Sequence, residues 1–211
     1  MNMIFFEVFV ALIQACTSHP GVICCGLKVL SPWIMPVKAV VFDFDSTIST
    51  PTFLERAGQW AVADKKDIFK SMSTHEIVAN FGGATRIEAL KGLLATLKAA
   101  DIVLYIVSIG FREAFMPHLE AVGLLPFFQH DRIFGQDSPE LRQLEFVKGR
   151  LIARFMADAG WNREEVLFID DSREHIERAS AVCTTLLVSK AKVGGLSETE
   201  LSQIREIAAE R

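Results

Sequence analysis

Short apolar runs alternate with longer amphipathic stretches along most of the chain. Four runs, at residues 38–44, 102–107, 166–169 and 185–188, are rich in Val, Ile, Leu or Phe and have the length of buried strands. A brief fifth run lies at residues 132–134. Because the stretches between them have helical spacing, the pattern predicts an α/β fold. We expect it to be Rossmann-like, with three α/β/α layers around a mostly parallel sheet.

Capping signals place the helices of the first half. Residues 53–72 have the apolar spacing of one or two helices. The capping box Ser73-Thr74-His75-Glu76 predicts a short helix that ends at Gly82-Gly83. Thr85-Arg86-Ile87-Glu88 repeats the start signal, and apolar residues then recur at helical spacing to about Ala99.

The second half shows the same alternation. Residues 112–122 are predicted to form a helix closed by Gly123, and Ser138-Pro139 opens a long helical region that runs to Gly160. Further start signals lie at Asn162, at Ser172, and at the capping box of Ser197 and Glu200, which precedes an amphipathic C-terminal helix within residues 191–211.

The first 36 residues differ from the rest. They hold 23 apolar residues and only two charges, Glu7 and Lys28. Their most apolar stretch, residues 4–15, is too short to cross the roughly 30 Å hydrocarbon core of a bilayer, and no positive charge precedes it. We expect residues 1–36 to be an apolar extension outside the core, which begins near Met35. A cleaved or anchoring signal and an integral element of the fold are the alternatives.

Composition narrows the class of protein. The chain has 211 residues, half of them apolar, and a net charge of -4, which is compatible with one domain that has its own core. The acidic balance argues against nucleic-acid binding and against firm association with anionic membranes. Of the four cysteines only Cys183 lies beyond residue 36, so no disulfide framework or zinc site is expected. This favours a cytoplasmic location, with organelle or secretory targeting by residues 1–36 as the alternative.

Polar residues directly follow three of the predicted strands. Asp43 and Asp45 follow the first, Ser108 the second, and Asp170 with Asp171 the run at residues 166–169. In an open parallel sheet the carboxyl ends of the strands border the ligand crevice, so these side chains are expected to converge. Four carboxylates repel one another unless a cation shares the site, and hard oxygen ligands favour Mg²⁺.

Taken in chain order, these residues resemble the motifs of the haloacid dehalogenase superfamily of hydrolases. Asp43-Phe44-Asp45-Ser46-Thr47 is similar to its first motif, DxDxT, and Ser108 to the Ser or Thr of the second. Lys148 is similar to the Lys of the third motif, and Asp170-Asp171 to the acidic fourth. The resemblance covers about residues 37–190 and implies a hydrolase domain.

The resemblance also implies a role for each motif residue. Asp43 would be the nucleophile and Asp45 the general acid/base. Ser108 would donate a hydrogen bond to a phosphoryl oxygen. Lys148 would offset the charge of the nucleophile and of the phosphoryl group.

Metal and substrate contacts follow from the same resemblance. Mg²⁺ would be held by Asp43, Asp170 and the backbone carbonyl of Asp45, with Asp171 as a water-mediated or outer ligand. The residues that flank the motif residues and would contact the substrate are Ser46, Thr47, Ile109 and Gly110.

The implied activity is that of a Mg²⁺-dependent phosphatase that forms an aspartyl-phosphate. Asp45 favours a phosphate ester over a haloacid, because dehalogenases of the superfamily lack an acid at that position. Ser108-Ile109-Gly110-Phe111 is similar to the SGGF of phosphoserine phosphatases, but Ile109 replaces a Gly. A non-catalytic phosphate- or partner-binding module and a phosphotransferase or mutase are the alternatives.

Specificity in this superfamily usually comes from a cap between the motifs. Residues 49–84 suffice for a small helical lid, and the 21 residues between Lys148 and Asp170 leave no room for a large cap. A small lid suits a small-molecule phosphoester or a phosphoprotein. The lid carries four cations, Arg56, Lys65, Lys66 and Lys70. They either contact an anionic substrate or lie on a solvated helix face.

Overall fold

The computed structural model of the chain describes residues 37–189 and 194–209. The expectations for residues 1–36, including the extension and any targeting signal, lie outside the described residues. No helix in the two described ranges combines the length and the apolarity that crossing a bilayer requires.

Five parallel strands form the sheet at the centre of the fold. Their order is β3-β2-β1-β4-β5, with Phe42 of the central strand opposite Ile106 on one side and Ile169 on the other. The predicted α/β architecture with its parallel sheet is therefore confirmed. The strands are β1 Ala39–Phe42, β2 Val103–Val107, β3 Ile133–Phe134, β4 Val166–Asp170 and β5 Thr184–Leu187.

Helices connect the strands and cover both faces of the sheet. The α-helices are α1 Pro51–Gly58, α2 Thr74–Ala79, α3 Ala84–Ala99, α4 Arg112–Ala121, α5 Pro139–Gln143, α6 Lys148–Ala159, α7 Arg173–Ala179 and α8 Glu198–Ala209. Short 3₁₀ segments are Val62–Ser71, Leu125–Phe127, His130–Arg132 and Arg163–Glu165.

Alternation along the strands divides the apolar side chains between two cores. Val40 and Phe42 of β1 face the core that α1, α3, α4 and α8 cover. Ala39 and Val41 face the core beneath α6 and α7. Since successive side chains of a strand point to opposite faces, a strand buried on both sides must be apolar throughout. This is why β1 and β4 show no polar alternation in the sequence.

Two capping boxes form as predicted. The Ser73 N–H donates to Glu76 Oε2 at 2.8 Å, and the Glu76 N–H donates to Ser73 Oγ at 3.3 Å. At the start of α8 the Ser197 N–H donates to Glu200 Oε2 at 2.7 Å and the Glu200 N–H to Ser197 Oγ at 3.4 Å. Each box satisfies two of the free N–H groups at a helix start.

The predicted capping box at residues 85–88 is wrong. α3 begins at Ala84, its N-cap is Gly83 with φ 97°, and no side chain caps it. The turn at Gly82-Gly83 takes the positive φ that favours glycine and feeds the chain directly into the helix. Arg86, in the first turn of α3, takes no part in capping the helix.

The single long helical region predicted between Ser138 and Gly160 is two helices. Glu145 and Phe146 lie between α5 and α6 with φ of 56° and 60°. A left-handed backbone at non-glycine residues costs about 1–2 kcal/mol each, and apolar spacing gives no sign of it. The break makes Lys148 the first residue of α6, where its side chain reaches the sheet edge.

The segment between β1 and α3 forms a small helical insert, and we call its residues 51–79 the lid. The lid packs against α4 at His118, a buried residue of that helix. The His118 Nδ1–H donates to the Ala114 carbonyl at 2.9 Å. The imidazole ring contacts Phe53 edge-on at 5.0 Å and Phe69 at 5.2 Å. Burial lowers the pKa of His118, so this ring is neutral and apolar contacts hold the lid.

Candidate active site

Three neighbouring strands bring polar side chains to one edge of the sheet. Asp43 follows β1, Ser108 follows β2, and Asp170 is the last residue of β4. The Asp43 N–H donates to the Ile169 carbonyl at 2.9 Å, which extends the pairing of β1 and β4 to the site. All three residues are buried, at 3% exposure or less.

Lys148 joins two of the aspartates. Its Nζ donates to Asp43 Oδ1 and to Asp170 Oδ2, both at 2.6 Å. The residue is 2% exposed. Burial alone would lower the pKa of Lys148, but the two carboxylates raise it above its ordinary value. The lysine is therefore a fixed positive charge between Asp43 and Asp170.

Asp43 is in an environment that disfavours its charge. Burial and the nearby charges of Asp170 and Asp45 raise its pKa to about 8, against the lowering effect of Lys148. One ammonium group thus does not balance the carboxylates at this edge. The site is suited to a second cation.

Asp45 lies apart from the Lys148 bridge. Its Oδ2 accepts a hydrogen bond from Ser108 Oγ at 3.1 Å, and that Oγ accepts the Gly110 N–H at 2.9 Å. Burial raises the pKa of Asp45, while the Ser108 hydrogen bond lowers it. The chain reaches this position through a turn at residues 44–48 in which Ser46 has φ 57°.

Gly110 is required by the position of Asp45. A Cβ on Gly110 would lie 2.5 Å from Asp45 Oδ2 and 3.2 Å from Ser108 Oγ. Any other residue would displace the carboxylate from its hydrogen bond. The close approach of the Asp45 side chain explains why a glycine stands here.

Three aspartates can hold a metal ion. Asp43, Asp170 and Asp171 each offer an oxygen, and these oxygens lie within 4.8 Å of one another. Asp170 is oriented by the Ser172 N–H, which donates to its Oδ1 at 2.7 Å. Three carboxylates together are hard oxygen ligands of the kind that Mg²⁺ takes. The Asp45 side chain lies outside this group, so its predicted metal contact rests on its backbone carbonyl.

A half-open cavity of about 300 Å³ lies above the aspartates. Ser46, Ile109 and Gly110 line it, as do the motif aspartates and Lys148. Ser108 and Thr47 do not line the cavity. Ser108 lies beneath Asp45, and the Thr47 carbonyl accepts the Leu196 N–H at 2.9 Å. The structure therefore brings most, but not all, of the predicted residues to the cavity.

Comparison with known proteins identifies the fold of the chain. No sequence-family model and no curated protein matches the chain. The cobalt-bound deoxy-D-mannose-octulosonate 8-phosphate phosphatase of Haemophilus influenzae is 14% identical, with a TM-score of 0.51 over 82% of this chain and 88% of its own. A haloacid dehalogenase-like family hydrolase of Xanthomonas campestris is 14% identical, with a TM-score of 0.50 over 83% and 98%. A dehalogenase in an intermediate complex is 14% identical, with a TM-score of 0.51 over 85% and 100%.

The chain has the haloacid dehalogenase-like hydrolase fold. The parallel sheet, with β1 at its centre and the acidic cluster at its carboxyl edge, is the part of that fold on which the site is built. Residues of the helical insert line the cavity at the same edge.

Arg86 supports the motif loop of this haloacid dehalogenase-like fold, and sequence reasoning missed it. Its guanidinium donates to the main-chain carbonyls of Thr47, Ile48, Phe81 and Leu196 at 2.7–3.0 Å. Burial lowers its pKa to about 10, so it stays charged at neutral pH. It joins the loop after Asp45 to Phe81, just beyond the lid, and to the segment before α8. Because its partners are main-chain carbonyls, no pattern of side chains in the sequence indicates this role.

The walls of the cavity include further residues that the motifs did not indicate. Phe111 and Gln136 line it beside Gly110, and His175 of α7 lines it beside Asp171. Burial lowers the pKa of His175, as does the charge of Lys148, which favours a neutral ring. From the lid come Phe53, Leu54, Ala57 and Lys65.

Proposed function

We propose that this haloacid dehalogenase-like protein is a Mg²⁺-dependent phosphatase that hydrolyses a phosphomonoester through an aspartyl-phosphate. One observation carries the proposal: two aspartates two positions apart have different surroundings. Asp43 is bonded to Lys148, whereas Asp45 is bonded to Ser108. Carboxyl groups in unlike environments are suited to unlike roles, here nucleophile and acid/base.

In the first step the Asp43 carboxylate attacks phosphorus. A bond forms between an Asp43 oxygen and phosphorus, and the bond from phosphorus to the ester oxygen breaks. Asp45, whose pKa is raised by burial, gives its proton to the departing oxygen. Lys148 lies 2.6 Å from Asp43 and so stabilises the negative charge at the reacting centre.

In the second step water hydrolyses the acyl-phosphate. The Asp45 carboxylate, now deprotonated, takes a proton from the water as its oxygen attacks phosphorus. The bond between phosphorus and the Asp43 oxygen breaks, which frees inorganic phosphate and restores the carboxylate. Lys148, bonded to Asp170 as well, keeps its position throughout.

Asp43, Asp170 and Asp171 would hold the Mg²⁺, together with the Asp45 carbonyl. When bound, Mg²⁺ supplies positive charge that offsets these carboxylates and the phosphoryl oxygens. The fit rests on the hard oxygen donors, whose atoms lie within 4.8 Å of one another.

Metal removal tests this assignment. We expect EDTA to lower the hydrolysis of 4-nitrophenyl phosphate at least about 100-fold, and added Mg²⁺ to restore it. Asp171→Asn should raise the Mg²⁺ concentration needed for half-maximal rate at least about tenfold, because it removes one charged ligand. Asp158→Asn, at an exposed aspartate of α6, is the matched control and should titrate like the wild type.

Undiminished turnover in EDTA after exhaustive dialysis would contradict the metal assignment. The same assay separates the other candidates. A non-catalytic module would give no phosphate release at any Mg²⁺ concentration, and a phosphotransferase would pass the phosphoryl group to an added alcohol or sugar in preference to water.

A further inference from the structure

Lys65 is distinguished from the other lid cations by its position. The Arg56 guanidinium donates to the Glu76 carbonyl at 2.8 Å and to Asn80 Oδ1 at 2.6 Å. Lys70 is paired with Asp67 at 2.7 Å and is largely exposed. Of the lid cations whose side chains are described, Lys65 is the one that lines the cavity.

An aromatic ring holds the Lys65 ammonium at the cavity wall. Its Nζ lies 5.6 Å from the centroid of Phe111, within the range of a cation–π contact. The side chain is half-buried and, within the described part of the chain, forms no hydrogen bond or ion pair. Lys148, the other ammonium in the lining, is fully engaged by Asp43 and Asp170. Lys65 therefore offers an uncommitted positive charge to a ligand.

The position of Lys65 relative to Asp45 defines which part of a ligand contacts Lys65. Both residues line the same cavity of about 300 Å³, so a small ligand bound there can contact both groups. Asp45 is the group that protonates the departing oxygen in the proposed reaction. Lys65 thus lies on the leaving-group side of the cavity.

Part of the cavity wall is apolar. Phe53, Leu54 and Ala57 of α1 line it, together with Ala114 of α4. Leu54 is 51% exposed and so offers apolar surface to a ligand. The volume of about 300 Å³ is at the lower limit for ligand pockets, which favours a small molecule over a folded phosphoprotein surface.

We propose that Lys65, Phe111 and the apolar wall form a leaving-group subsite that selects small phosphomonoesters with a short apolar body ending in a second anionic group, such as a carboxylate. This inference rests on the proposed phosphatase function and names its substrate class. The phosphoryl group takes the aspartate end of the cavity, and the second anion takes the lid end.

A matched pair of aryl phosphates tests the subsite. Carboxyphenyl phosphate and carbamoylphenyl phosphate, each as para and meta isomers, differ in charge at nearly constant shape. We expect kcat/KM to favour the carboxylate of at least one isomer by about fivefold or more at low salt. The preference should fall as salt rises, because the charge of Lys65 is partly exposed.

Lid variants assign the preference to one residue. Lys65→Met should reduce the ratio of the two kcat/KM values to about one, since it removes the charge and keeps the length of the chain. Lys65→Arg should restore most of the ratio. Lys70→Met, a matched lysine of the same segment with its own partner Asp67, should leave the ratio as in the wild type.

The results of these assays distinguish failure of the subsite proposal from failure of the proposed phosphatase function. Hydrolysis of both esters with equal kcat/KM, or a preference that survives Lys65→Met, overturns the subsite and leaves the phosphatase standing. A phosphopeptide turned over faster than either aryl phosphate also overturns it. Failure of all esters in the presence of Mg²⁺ overturns the phosphatase itself.

Discussion

Asp43→Asn is expected to lower kcat for 4-nitrophenyl phosphate by at least about four orders of magnitude. The amide has nearly the shape of the carboxylate and can still accept the Lys148 hydrogen bond, which measures 2.6 Å in the wild type. It lacks the negative oxygen that attacks phosphorus. Initial rates at saturating Mg²⁺ measure the loss, and Asp158→Asn again provides the control.

The stability of the same variant shows that a loss of turnover comes from chemistry. In the metal-free protein burial raises the pKa of Asp43 to about 8 from its ordinary value of 3.8, whereas bound Mg²⁺ would favour the carboxylate that the reaction needs. Between these values the unfolded state binds fewer protons, so this group makes the free energy of unfolding fall as pH rises. Asp43→Asn should remove this fall.

Urea unfolding in EDTA at about pH 5 and about pH 8 measures how the free energy of unfolding of the wild type and of Asp43→Asn depends on pH. The variant should be at least as stable as the wild type at the higher pH. An Asp43→Asn protein whose free energy of unfolding falls with pH as the wild type's does would contradict the raised pKa of Asp43. One that retains more than about a hundredth of the wild-type kcat would contradict its role as nucleophile.

Arg86→Met is expected to lower the free energy of unfolding by at least about 3 kcal/mol. The guanidinium donates to four main-chain carbonyls around the motif loop, at 2.7–3.0 Å. Methionine fills part of the space and leaves those carbonyls without their donor. Arg86→Lys should recover only part of the loss, because one ammonium cannot reproduce the fork of a guanidinium.

Chemical denaturation of both variants measures this effect. Arg154→Met, at an exposed arginine of α6, is the matched control and should change stability by no more than about 0.5 kcal/mol. An Arg86→Met protein as stable as this control would show that the carbonyl cluster does not depend on the guanidinium.

Much of the fold could be predicted from local patterns in the sequence. β1 and β4 are buried on both faces, so their apolar runs stand out, and the capping boxes at Ser73 and Ser197 form as their residues predict. The convergence of Asp43, Ser108 and Asp170 follows because parallel strands end at the same edge of a sheet.

The remainder depends on contacts that have no local pattern. Arg86 bonds main-chain atoms from three separate segments, and the left-handed pair Glu145 and Phe146 breaks a region whose apolar spacing is helical throughout. Lys65 could be named as a lid cation from the sequence. Only the structure places it over Phe111 and in the cavity.

Capture of a phosphoryl group on Asp43 tests the central claim most directly. In Asp45→Asn, 4-nitrophenolate leaves with little need of an acid, whereas the hydrolysis of the acyl-phosphate lacks its base. Acid-quenched Asp45→Asn incubated with Mg²⁺ and 4-nitrophenyl phosphate should gain the mass of one phosphoryl group, mapped to Asp43. A phosphoryl group on any other residue, or an unmodified variant that still turns over the substrate, would contradict the account.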